Sequence, residues 1–263
     1  MESSTTRGRV AGLVAVVTGA GGAIGRTIAQ VLADEGARVV VCDMLEKEGQ
    51  QTVQEIEAKH GQDRAFFHKI DVSKEAEVQS LVKVVVDKWG GVDVLVNNAA
   101  VFVFGTIEEV SSDDWDRALG VNVKGYAFMA KHVMPLMKAK RSGSIINVGS
   151  ISSFIAQPAF VPYNTTKGAI LQLTRCLALD CGDWNIRVNC VCPGSIDTPA
   201  TASHAKKLGV TKEELVEQAV KQHFIKRMGT TDDVAKCVLF LASDESTFVT
   251  GAAIPVDGGF LAQ

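Results

Sequence analysis

Tyr163 and Lys167 stand four residues apart. If a helix starts near Pro162, they lie one turn apart on one face. A phenol beside an ammonium group is a way to make an acid–base residue. The positive charge favours the phenolate and lowers the tyrosine pKa from its free value of about 10. Thirteen residues before the tyrosine stands Ser150. It follows an apolar run, residues 145–148, that reads as a buried strand. A hydroxyl at a strand end can face a phenol at the start of the next helix, and such a pair would hold a carbonyl or carbinol oxygen. Taken alone, Tyr-x-x-x-Lys is an ordinary helix pair, so the rest of the chain has to give it meaning.

Strands and helices alternate along the sequence. Residues 13–17 form a short β-branched run followed by Thr18-Gly19-Ala20-Gly21-Gly22-Ala23-Ile24-Gly25 and then a helical stretch, 26–35. Strand, glycine-rich turn and helix together make a phosphate cradle. Glycines let the backbone approach a ligand closely, and the helix start offers free N–H groups and a positive dipole end. A second strand, 38–42, ends at Asp43. A carboxylate there accepts hydrogen bonds from an adenosine ribose and repels a 2′-phosphate, which favours NAD over NADP. Helix 46–59, strand 65–70 leading to Asp71-Val72, a helix 74–89 capped near Ser73, and strand 92–96 leading to Asn97-Asn98-Ala99-Ala100 complete four strand–helix units. They indicate a parallel sheet with right-handed crossovers and ligands at the carboxyl ends of the strands.

The second half continues the pattern. Residues 111–140 read as one long helix containing Asn122, a residue unfavourable in a helix interior unless it bonds something. Strand 144–148 leads to Ser150, and a helix over 162–184 carries Tyr163 and Lys167. Strand 186–191 runs into Cys192-Pro193-Gly194-Ser195-Ile196-Asp197-Thr198-Pro199. The polar, lysine-rich stretch 200–226 is expected to hold one helix, near 211–222. With the turn before it, this makes a lid over about 197–226. A helix at 231–241 and a strand at 253–256 close the chain.

Composition sets the wider bounds. The chain has 263 residues, 46% hydrophobic and 22% charged, with a net charge of −3. That suits one large α/β domain and supplies no basic field for nucleic acid. No apolar run reaches the ~18–20 residues of a membrane span. Residues 1–11 read as a flexible polar tail without a signal-peptide core. The six cysteines are scattered through apolar segments and read as core residues of a reducing, cytoplasmic compartment; Cys190-x-Cys192 points both side chains to one strand face. No metal is expected.

The ordered set Thr18-Gly19…Ile24-Gly25, Asp71-Val72, Asn97-Asn98-Ala99-Ala100, Asn122, Ser150…Tyr163-x-x-x-Lys167 and Pro193-Gly194…Thr198-Pro199 resembles the short-chain dehydrogenases/reductases. The likeness covers about residues 10–263. Ala23 and Ala100 replace glycines that are usual in the family. The resemblance implies a single doubly wound, Rossmann-type α/β domain over 12–263, with a seven-stranded, mainly parallel sheet and helices on both faces. It implies an NAD(H)-dependent oxidoreductase acting on a secondary alcohol or ketone, with Tyr163 as general acid/base. Lys167 would lower the tyrosine's pKa and bond the nicotinamide ribose. Ser150 would polarise the substrate oxygen, in preference to Ser152 or Ser153. Asn122 would hold a relay water. Gly19, Gly22, Ile24 and Gly25 would meet the pyrophosphate, Asp43 the ribose, Asp71 and Val72 the adenine. Asn98 and Ala99 would lie along the cofactor, with Pro193, Gly194, Ile196 and Thr198 around the nicotinamide.

Phe154, Ala156, Gln157 and Phe160, with Phe102 or Phe104, should line the substrate pocket. Gln157 is the polar member, and no arginine precedes Tyr163. A neutral, fairly apolar substrate, cyclic ones included, is therefore expected. A 3-hydroxybutyrate-like hydroxy acid and an NADPH-dependent oxoacyl or carbonyl reductase are the alternatives. A homotetramer, or a dimer, paired through helices 111–140 and 162–184 is expected by the same resemblance. In some relatives the terminal glutamine, here Gln263, helps hold a magnesium between subunits.

Overall fold

A computed structural model of the chain describes residues 8–263, without the side chains at positions 200, 203, 204, 207 and 208. Seven strands form one sheet in the order β3-β2-β1-β4-β5-β6-β7: β1 Val14–Thr18, β2 Arg38–Asp43, β3 Ala65–Lys69, β4 Val94–Asn97, β5 Gly143–Val148, β6 Ile186–Pro193 and β7 Ala253–Val256. Every pairing is parallel. A parallel strand must return by a crossover, so each strand is followed by helix. These are α1 Ala23–Asp34, α2 Glu46–His60, α3 Glu75–Trp89, α4 Ser112–Leu119, α5 Tyr126–Lys140, α6 Val161–Cys181, α7 Pro199–Leu208, α8 Lys212–Gln222 and α9 Thr231–Ala242.

The strands are apolar on both sides because helices cover both faces. Ala15 and Val17 of β1 join Ile28 and Leu32 of α1 and Val234 and Leu239 of α9 in one core. Val14 and Val16 point the other way, into a second core with Val78 and Leu81 of α3 and Met129 and Val133 of α5. The period of two along β1 thus serves two helix layers at once.

The direction of the chain reverses across the sheet between β1 and β4, which leaves a crevice at their carboxyl ends. Gly19, Asp43, Asn98, Ser150 and Gly194 all lie at or just past strand ends on this edge.

Several expectations are corrected. Residues 8–11 are packed rather than loose. Val10 is buried, its N–H donates to the Glu35 carbonyl, and Arg9 pairs with Glu245. Residues 1–7 of the expected tail lie outside the described residues. The helix read over 111–140 is α4 and α5 joined by a wider π turn, Gly120–Gly125, around Asn122. The polar stretch after Thr198 holds two helices, not one. Pro199 opens α7 at a position where its missing N–H costs nothing, and Gly209 closes it at φ +70°. The cap of α3 falls next to Ser73, as expected, but not on its hydroxyl. Lys74 is the N-cap, without a side-chain bond, while Ser73 donates to Asp71.

Candidate active site

The glycine turn between β1 and α1 is held from the β4 side. The Asn98 amide donates to the carbonyls of Thr18 and Gly19, at 3.0 and 3.2 Å. The Thr18 hydroxyl accepts from the N–H groups of Asn98 and Ala99. Gly19 takes φ +66°, and a Cβ on Gly25 would lie 2.2 Å from the Gly19 carbonyl oxygen. Glycine at 25 is what lets α1 start this close to the strand. Gly22 is the N-cap of α1 and makes no side-chain cap. The N–H groups of Ala23, Ile24 and Gly25 find no acceptor among the described residues, so the helix start presents donors and positive dipole to the crevice. That donor set fits a pyrophosphate.

Asp43, at the end of β2, is fixed by two backbone donors. Gly21 N–H bonds one carboxylate oxygen and Leu45 N–H the other, each at 2.9 Å. The residues that follow it, Met44 and Leu45, are exposed and uncharged. Asp71 turns its carboxylate back on Ser73. Its neighbour Val72 packs against the π turn: a Cβ on Gly125 would sit 2.7 Å from its side chain.

Across the crevice, β5 delivers Ser150 and the start of α6 delivers Tyr163 and Lys167. Pro162 lies in the first turn of α6, where proline is tolerated. The Ser150 hydroxyl lies near the Tyr163 phenol and favours its ionised form. Ser152 instead donates to the Gln157 side chain, at 2.6 Å, and Ser153 to the Lys167 carbonyl, at 2.8 Å. Of the three serines, Ser150 alone meets the phenol.

Lys167 is 2% exposed. Its Nζ donates to the Val148 carbonyl, at 2.7 Å, and lies 5.6 Å from the Tyr163 ring centre. Burial pulls its pKa from 10.5 down to about 8. Burial also pushes the Tyr163 phenol above its ordinary value, against the Ser150 hydrogen bond, which lowers it. The phenol depression expected from Lys167 does not appear here: Ser150 alone favours the phenolate, and burial outweighs it. Desolvation of a buried phenolate is the larger effect.

Asn122 is fully buried in the π turn. Its Oδ1 accepts from Val101 N–H at 2.8 Å. Its Nδ2 donates to the Val101 carbonyl at 3.0 Å and to the Thr166 hydroxyl at 3.1 Å. Thr166 in turn donates to the Tyr163 carbonyl, at 2.7 Å. The Asn122 amide therefore clamps the loop after β4 to the first turns of α6, and both of its N–H bonds are spent.

Pro193 ends β6. Gly194 donates to Val256, and a Cβ there would lie 2.9 Å from Asp257 Cα. Ile196 bridges Gly229, and Thr198 is the N-cap of α7. Gln263, considered above for a metal, donates its amide to the Gln222 carbonyl, at 2.7 Å.

Three supports escaped the sequence reading. The hydroxyl of Tyr126 donates to the same Val148 carbonyl as Lys167, which makes that carbonyl the anchor of the lysine. Thr166 links Asn122 to Tyr163, and its place beside Lys167 is the one clue the sequence offered. Cys190 and Cys192 put their sulfurs 3.5 Å apart on one face of β6, beneath Gly149. The shared face was readable from strand spacing, but closeness to Gly149 comes from sheet register.

Comparison with known proteins decides the family. The sequence model described as enoyl-(acyl carrier protein) reductase matches residues 19–261. A trans-4-hydroxycyclohexanecarboxylate dehydrogenase from Sinomonas cyclohexanicum is 38% identical over 95% of this chain and 93% of its own. The chain belongs to the short-chain dehydrogenase/reductase family. Members of this family bind a nicotinamide cofactor, and the chain is an oxidoreductase of that type acting on alcohol or ketone substrates. A meso-2,3-butanediol dehydrogenase from Serratia marcescens is 37% identical over 95% of each chain. A gluconate 5-dehydrogenase from Burkholderia cenocepacia, solved with NADP and tartrate, superposes with a TM-score of 0.89 at 31% identity over 98% of each chain.

Proposed function

We propose that this oxidoreductase passes hydride between NAD and a neutral secondary alcohol or its ketone, cyclic substrates included, with Tyr163 as the general acid/base. The observation that carries the reading is the half-buried Ser150 beside the buried Tyr163 and Lys167, on the same crevice as the free N–H groups of α1. NAD is the hydride acceptor in oxidation, and NADH is the donor in reduction.

In the oxidation direction the Tyr163 phenolate takes the alcohol's hydroxyl proton, while Ser150 holds the same oxygen. The Lys167 ammonium offsets the phenolate charge. Proton transfer of this kind contributes roughly 10²–10⁴-fold, and alignment of the substrate supplies the rest. Gly22, Ile24 and Gly25 would hold the pyrophosphate beside Gly19, and Val72, Asn98 and Ala99 would line the cofactor, with Asp71 at its adenine end. Pro193, Gly194, Ile196 and Thr198 would close around the nicotinamide, and Lys167 would reach its ribose. The Asn122 side chain is occupied, so a water relay at this residue would run through its backbone carbonyl.

Asp43 supports NAD over NADP. Its carboxylate is held in place by Gly21 and Leu45, and a 2′-phosphate would meet that negative charge. The gluconate 5-dehydrogenase of the same fold was solved with NADP, so the choice at Asp43 needs a direct test. Fluorescence titration separates the two: NADH is expected to bind at least about tenfold more tightly than NADPH. Tighter NADPH binding would sink the NAD assignment.

Helices α5 and α6 frame an exposed groove of about 400 Å³ lined by Ala130, Met134, Leu173 and Leu177. An apolar groove of this kind supports pairing with a second copy of the chain, and a homotetramer is the assembly proposed.

A further inference from the structure

Phe102 is 48% exposed, yet its ring lies nearly flat on the Tyr163 ring, with centres 4.8 Å apart and planes at 18°. Phe104 extends the stack at 5.9 Å and 20°. Phe160 meets Phe104 edge-on at 4.6 Å and Tyr163 at 6.1 Å. These rings come from two separate loops, one after β4 and one between β5 and α6. A short parallel bridge staples the loops together. Gly105 N–H donates to the Ala159 carbonyl at 2.7 Å, and Val161 N–H to the Gly105 carbonyl at 3.4 Å. Both bridge-forming turns use uncommon backbone: Gly105 has φ +153° and Ala159 φ +57°. A Cβ on Gly105 would lie 2.7 Å from a Val110 methyl. An alanine held at positive φ costs free energy that the surrounding structure must offset. Here it holds an aromatic wall against the proposed acid/base.

Several charges around the lid are already engaged. Lys212 pairs with Asp197 and Arg227 with Asp233. The Lys226 ammonium donates to the carbonyls of Lys221 and His223. Gln157 accepts the Ser152 hydroxyl through Oε1, which leaves its NH₂ to offer a hydrogen bond to a neutral oxygen.

We propose that Phe102 is a specificity-determining residue, whose exposed ring is the platform for the carbon ring of a cyclic secondary alcohol or ketone. The proposal rests on the assignment of Ser150 and Tyr163 to the substrate oxygen. With the oxygen held there, the carbon substituents must run along the neighbouring wall. A saturated or flat ring sets a broad C–H face against an aromatic surface and freezes few torsions in doing so. An open chain of similar size loses more freedom for the same contact.

The test compares kcat/KM for cyclohexanol and 2-butanol, with NAD, in wild type, Phe102→Leu and Phe102→Trp. Wild type is expected to favour cyclohexanol. Phe102→Leu lowers the cyclohexanol-to-butanol ratio about tenfold, mainly through KM, and Phe102→Trp, which restores an aromatic face, brings the ratio back. The pH profile of turnover keeps its midpoint in both variants, because leucine and tryptophan both keep apolar cover over the Tyr163 ring. An unchanged ratio, or a loss confined to kcat with a shifted pH profile, overturns the platform and leaves the functional reading standing. A wild type that favours 2-butanol overturns it likewise. A wild type inert toward both alcohols and both corresponding ketones overturns the platform together with the neutral-substrate assignment.

Discussion

Burial acts in opposite chemical senses on Tyr163 and Lys167, yet it disfavours the charged form of each. The phenol is pushed up, and the ammonium is brought down to about 8. At neutral pH Lys167 is still below that value and carries its charge. Alcohol oxidation needs the phenolate, so its rate should rise with pH. Removing the neighbouring charge with Lys167→Met should move that rising limb to higher pH and lower kcat; an unmoved limb would mean that the lysine does not support the phenolate. Stability gives a second readout. A lysine whose folded pKa lies below its unfolded value costs stability below about pH 8, a cost that fades as pH rises toward 10.5. The same variant should therefore melt no lower than wild type at pH 7. The types and spacing of Ser150, Tyr163 and Lys167 were legible in the sequence. The sign of the net shift on Tyr163 was not, because desolvation depends on what packs around the ring, and Phe102 and Phe160 reach it from other loops.

Elements convert these side chains into a site. The glycine turn works because α1 starts nearly in contact with the strand end. Gly25→Ala would place a methyl 2.2 Å from the Gly19 oxygen, a rigid backbone atom. The helix must then shift, at a cost of about 1–3 kcal/mol. Thermal unfolding should show a lowered midpoint and NADH titration a weakened complex; unchanged values in both would contradict the close-approach argument. The strand and helix order was readable from the alternation of β-branched runs with amphipathic stretches. Two features were not. The π turn around Asn122 steps the apolar stripe by about 100°, but a single step within one long helical stretch cannot be told from an imperfect stripe. Helix α7 was hidden by composition: its alanines, threonine, serine and lysines leave no apolar stripe to read in the sequence.

At the scale of the whole molecule, the sheet order sets the division of labour. Strands β1 to β3 present Gly19, Asp43 and Asp71, and β4 to β6 present Asn98, Ser150 and Gly194, so the groups proposed for cofactor binding and acid–base work converge at one edge. That convergence was legible because each motif follows a strand end in sequence. Packing of residues 8–11 was not, since Val10 is a single apolar residue in a polar run and its partner Glu35 lies at the far end of α1. The groove between α5 and α6 bears on assembly. Sedimentation at micromolar concentration is expected to give a four-chain species, and a monomer would contradict the proposed use of that groove. The central claim, that Tyr163 is the proton-transferring group of an NAD-dependent alcohol oxidoreductase, is tested most directly by Tyr163→Phe, which removes one oxygen and keeps the ring in its stack. Turnover should fall by about 10²-fold or more, with NADH affinity within about threefold of wild type; near-normal turnover by this variant on the substrate that wild type prefers would contradict the account.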